Sequence, residues 1–162
     1  MSSRILERFK VAQVLAPSSD VYNGNPATSG INMANYDRVT FVLSQVTAGT
    51  NTGTATVTVE EATDTGGTGA TAIGFNFYRN EGADADDDLD AEETATTSGF
   101  STTANVTATY MITVKAEQLS DGSPYVRLQL TESVDDPVIG EVIAICEAKE
   151  AGDPDTLRSA TA

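Results

Sequence analysis

The chain has 162 residues and 16.9 kDa, with 9 basic and 24 acidic side chains, no His, one Cys and a net charge of −15. These counts exclude a Ser-His-Asp triad, a His-ligated metal, an internal disulfide and a Cys-cluster zinc site. A pI near 4.1 speaks against nucleic acid, whose phosphates need clustered Lys and Arg, and the length sets one domain.

The first ten residues, MSSRILERFK, hold a third of all bases: Arg4, Arg8 and Lys10. Ile5, Leu6 and Phe9 are spaced to lie on one side of a short helix or arm. A basic, apolar-tipped arm on an acidic body suits docking onto an acidic neighbour, so Arg4, Ile5, Leu6, Arg8, Phe9 and Lys10 are the candidate interaction residues. The plain alternative is a frayed terminus. The following apolar run, 11–16, is broken by Gln13 and ended by Pro17, too short for a secretory signal. No run approaches the roughly 18 apolar residues of a membrane span, so no membrane association is expected.

Next come alternating segments, the mark of half-buried strands. Thr, with 23 copies, supplies much of their polar face. The first is 11–15. A Pro-, Gly-, Asn- and Ser-rich loop follows at 17–37. Strands are expected at 39–46, 54–60, 72–78, 106–114, 125–130 and 138–146. The last is almost continuously apolar and reads as a central strand buried on both faces. Turns fall at Gly66-Gly67-Thr68-Gly69, at Ser120-Asp121-Gly122-Ser123-Pro124 and at Asp135-Asp136-Pro137. About seven strands with polar turns imply an all-β fold, an antiparallel two-sheet sandwich or jelly roll. The expected core is Val39, Phe41, Leu43, Val57, Val59, Phe75, Tyr110, Ile112, Val114, Val126, Leu128, Leu130, Val142 and Ala144. Cys146 reads as a small buried strand residue. The expected organisation is an arm and first strand over 1–16, a sandwich over 17–149 and, over 150–162, a tail without a core contribution.

The segment 79–104 is a long acidic loop carrying Asp84, Asp86, Asp87, Asp88, Asp90, Glu92 and Glu93. Spaced aspartates suggest calcium. The EF-hand pattern fails, however: counted from Asp84, Leu89 and Ala95 stand where Gly and Glu are needed, and counted from Asp86, Ala91 and Thr97 do. The loop therefore reads chiefly as a solvated, self-repelling segment, with a calcium-assisted ligand-binding module (adhesin or carbohydrate-binding) as the alternative. Gly66-Gly67-Thr68-Gly69 lacks the Lys-Ser/Thr of a phosphate loop. The acids are not paired in the contrasting environments a glycosidase needs. The expectation is a non-enzymatic protein with neither cofactor nor metal.

Two stretches carry a resemblance. Leu119-Ser120-Asp121-Gly122-Ser123-Pro124-Tyr125-Val126-Arg127-Leu128-Gln129-Leu130-Thr131, followed by Pro137-Val138-Ile139-Gly140-Glu141-Val142-Ile143-Ala144, resembles small virion structural proteins of tailed double-stranded DNA phages. Ala34-Asn35-Tyr36-Asp37-Arg38-Val39-Thr40-Phe41-Val42-Leu43 and Gly53-Thr54-Ala55-Thr56-Val57-Thr58-Val59-Glu60-Glu61-Ala62 look like the same group, which is similar to capsid decoration (cement) proteins. The resemblance spans about 34–148 and transfers no functional residue. It implies a protein on the capsid exterior, assembled in the host cytoplasm, that stabilises the shell by binding the major capsid protein. It also implies a homo-oligomer, with a trimer favoured. A phage tail or neck component is the nearest alternative.

Overall fold

Alternation in the sequence becomes two antiparallel sheets packed face to face. The computed structural model describes residues 5–46, 50–82, 89–150 and 159–162. Eleven strands are described: β1 (Phe9–Ser18), β2 (Ile31–Asn32), β3 (Tyr36–Val46), β4 (Thr54–Ala62), β5 (Thr71–Ile73), β6 (Phe75–Glu81), β7 (Glu93–Ala95), β8 (Phe100–Ser101), β9 (Ala108–Lys115), β10 (Tyr125–Val134) and β11 (Ile139–Ala148). The six-stranded sheet runs β1-β11-β3-β9-β6-β7; the five-stranded sheet runs β2-β10-β4-β5, with β8 also on β4.

Each long strand turns its apolar set inward. Val39, Phe41 and Leu43 of β3 oppose Val114, Ile112 and Tyr110 of β9 in register. Across the sandwich, Val57 and Val59 of β4 pair with Leu130 and Leu128 of β10. All fourteen residues expected in the core are buried, as is Cys146. Burying one such aliphatic or aromatic side chain is worth about 1.5–3 kcal/mol.

The connections differ from the expectation in an instructive way. The segment 72–78 is not one strand. It breaks at Gly74, so that β5 joins the five-stranded sheet and β6 the six-stranded one. The turns at 120–124 and 135–137 likewise carry the chain between sheets, whereas 66–69 closes a hairpin between β4 and β5. These crossings place successive segments face to face rather than side by side, the topology of a sandwich.

Three segments read as loop or tail also build the core. Residues 17–37 bury Val21, Tyr22, Ile31, Met33 and Tyr36. Within 79–104, the Phe100 ring stacks on Phe77 at 4.1 Å. Just before it, Gly99 sits at φ +74 where a Cβ would strike the Val57 carbonyl, so only Gly fits. At the far end, Ala160 is buried and its carbonyl accepts from the Asn32 N–H at 2.7 Å, so the tail contributes to the core after all. Finally, β11 is central but not buried on both faces. Val142, Ala144 and Cys146 face inward, while Ile143 and Ile145 point outward and are only half-buried.

Candidate functional site: the charged end of the six-stranded sheet

β1 and β3 begin, and β9 and β11 end, at the same end of the six-stranded sheet. Antiparallel pairing therefore gathers their terminal residues. Phe9 lies opposite Glu147, Glu147 opposite Arg38, and Arg38 opposite Lys115, forming one row across four strands. Arg8, Lys10 and Lys149 flank it. Five acids share this end: Glu7, Asp37, Glu117, Glu147 and Glu150. Of the chain's 9 bases and 24 acids, five of each thus meet here. Among the described residues the charges at this end therefore balance.

Glu147 is the hub. Its carboxylate accepts from Arg38 at 2.6 and 3.1 Å and from Arg8 at 3.5 Å. Both guanidinium groups remain about half exposed, so these pairs orient the side chains more than they stabilise the fold. Lys149 donates to the Ala34 carbonyl at 3.1 Å, and Lys115 lies 3.6 Å from Glu117. Three shallow grooves meet at Arg38. One runs past Asn76, Tyr78 and Glu92, one past Asp37 and Lys149, and one past Phe9 and Ile145.

The structure divides the candidate interaction residues. Arg4 lies outside the described residues. Ile5 and Leu6 form a short 3-10 turn with Glu7 and are 75% and 55% exposed. The Arg8 carbonyl accepts from the Ala148 N–H at 2.8 Å, and Phe9 and Lys10 are already strand, paired with Glu147 and Cys146. From Arg8 onward the arm is thus fixed to the body by backbone pairing. Sequence reasoning missed Arg38, Lys115 and Lys149. Each is a lone base far from the others in sequence, and only the strand register unites them.

The acidic segment divides too. Asp84, Asp86, Asp87 and Asp88 lie outside the described residues. Glu92 accepts from the Tyr78 hydroxyl at 3.0 Å, and Glu93 from Arg79 at 2.6 Å. Arg79 lies over the Phe77 and Phe100 rings and also pairs with Glu81 at 3.2 Å. Glu81 in turn accepts from the Tyr110 hydroxyl at 2.7 Å and the Thr103 hydroxyl at 2.8 Å. These carboxylates lock β6 to β7, β9 and the 102–107 segment. Among the described residues no group of three or more His, Cys, Asp or Glu is placed to hold a metal ion, and no helix is long and apolar enough to cross a membrane. No protein-family model, curated protein or solved structure gives a significant match to this chain.

Proposed function

We propose that this chain is a non-enzymatic virion structural protein that decorates a capsid shell and stabilises it by binding the major capsid protein. The observation that carries the reading is the exposed Ile5–Leu6 tip standing directly before a strand clamped into the sheet. Apolar side chains held out from a rigid body are what a docking anchor needs, since little ordering entropy is lost on binding. Beside the tip, the described charges at the end of the sheet balance, which suits the approach of a neighbour. The net charge of −15 on the whole chain keeps particles apart. The absence of His and of paired catalytic carboxylates in the sequence fits a role in which nothing reacts.

The test is co-sedimentation with empty shells assembled from the major capsid protein of the same virion. Deleting residues 1–7 removes the tip but leaves the Arg8–Ala148 bond and β1 intact. The full chain binds, and the truncated chain loses at least ten-fold in affinity with an unchanged melting temperature. Equal binding by both would remove the anchor, and no binding by the full chain would remove the capsid reading.

A further inference from the structure

We propose that the outward face of the six-stranded sheet is buried against the same face of a second copy of this chain, as a two-fold dimer. The two sheets differ on their outer faces. On the five-stranded sheet the outward pairs are polar: Thr56 with Thr131, Thr58 with Gln129, Glu60 with Arg127. That is the expected pattern for an antiparallel sheet facing water. The six-stranded sheet departs from it. Ile143, Val42 and Met111 lie side by side in one outward row, between Gln13 and Tyr78. In the next row Val11, 52% exposed, pairs with Ile145, and the row continues through the polar Thr40, Thr113 and Asn76. Val46 and Ile139, 45% and 46% exposed, pair at the far end. Among the described residues nothing in the chain covers these rows.

Area and charge name the occupant. Five strands at about 4.8 Å spacing and eight residue steps at about 3.4 Å make a face on the order of 600–700 Å² before side-chain relief. A stable interface buries about 600–1,000 Å² per partner, so the face meets the lower end of what a pair of copies needs. Charge decides against an oppositely charged partner. Among the described residues the face carries Arg8, Arg38 and Lys115 against Glu92, Glu117, Glu141 and Glu147, and is close to neutral on a chain of net charge −15. A basic partner would be drawn to the acidic remainder instead. Two copies of one acidic chain can approach closely only where their surplus is absent, and this apolar face is such a place. Sheets packed this way lie about 10 Å apart with strands some 30° off parallel. A self-complementary contact of this kind closes after two subunits.

The experiment is light scattering on the purified full chain over roughly 1–100 μM, a range that brackets micromolar association. The expected result is twice the 16.9 kDa chain mass. Val42→Glu and Ile143→Glu each raise the dissociation constant at least 100-fold. Thr40→Glu, on the same face but replacing a polar side chain, keeps the fold and weakens the dimer too, while Thr131→Glu on the other sheet leaves it intact. A monomer throughout, a trimer, or a dimer untouched by all three face variants overturns the proposal. So does a monomer whose Val42→Glu variant loses shell binding, which would assign the face to the capsid. The shell assay with residues 1–7 removed reads the capsid function separately.

Discussion

The Tyr22 hydroxyl donates to the Gln45 side-chain oxygen inside the sandwich, where both residues are fully buried. The Gln45 amide donates in turn to the carbonyls of Thr103 and Val106, each at 3.1 Å. One side chain thus ties the 17–37 segment, β3 and the entry to β9 together. Gln45→Leu keeps the volume but strands a hydroxyl and two carbonyls, each costing about 1–3 kcal/mol where water cannot replace the partner. The expected loss is about 2–4 kcal/mol in urea unfolding. The rescue variant Gln45→Leu with Tyr22→Phe recovers part of it, because it removes the stranded hydroxyl.

A second prediction concerns alkaline pH. Burial pushes the Cys146 thiol up to about 12 and the Tyr22 hydroxyl up to about 12. In the unfolded chain these groups ionise near 8.5 and 10. Above those values the unfolded state releases protons that the native state keeps, so stability falls as pH rises. The melting temperature is expected to hold to about pH 8.5 and then decline, with each group contributing about 1.4 kcal/mol per pH unit. Cys146→Ala delays the onset by about 1.5 pH units, to the Tyr value near 10. Native Cys146 is also expected to resist thiol reagents at pH 8, and labelling at the rate of a free thiol would contradict the burial.

One Glu132 carboxylate oxygen is buried without a partner among the described residues, as is one of Asp20. Burial, with Asp135 and Asp20 nearby, raises the Glu132 pKa. A raised carboxylate makes the ionised form a liability in the native state, and the liability is absent once the group is protonated. Glu132→Gln is therefore expected to raise the melting temperature at pH 7 and to have no effect near pH 3.5. A destabilised variant at pH 7 would mean that the carboxylate has a partner in solution.

A fourth prediction tests backbone approach. Gly67 sits at φ +87 beneath the Arg127 guanidinium, which bonds Glu60 at 2.9 Å and the Gly66 carbonyl at 2.9 Å. A Cβ at Gly67 would displace Arg127 and strain the turn. At Gly99 the obstacle is the Val57 backbone, which cannot swing away. Gly99→Ala is thus expected to cost more than Gly67→Ala, about 2–4 against about 1–2 kcal/mol.

Strand alternation was legible because the side-chain period of two survives over eight or more residues, as in β3, β9 and β10. Strands of two or three residues, such as Ile31–Asn32 and Phe100–Ser101, contain no period to read. Phe100 was missed for this reason: its burial depends on Phe77, 23 positions away, and on the glycine turn before it. The apolar run in β11 implies a strand buried on both faces, whereas only one face is buried, since composition cannot tell a face covered by its own chain from one left open. The charged end around Arg38 was invisible for a related reason. Its members lie in β3, β9 and the flanks of β1 and β11, and only hydrogen-bond register brings them together.

The pairing of β1 with β11, Phe9 opposite Glu147, has a kinetic consequence. On the ribosome, the first strand emerges before β11, its strand neighbour among the described residues, has been made. β3 likewise waits for both of its neighbours, β9 and β11. Until β11 has been made, the edges of β1 and β3 that it pairs with stay unpaired, an exposure that favours aggregation. Such long-range closure also makes folding slow, on the order of milliseconds to seconds for an all-β chain. A truncation that removes β11 should therefore yield an aggregating fragment rather than a smaller sandwich.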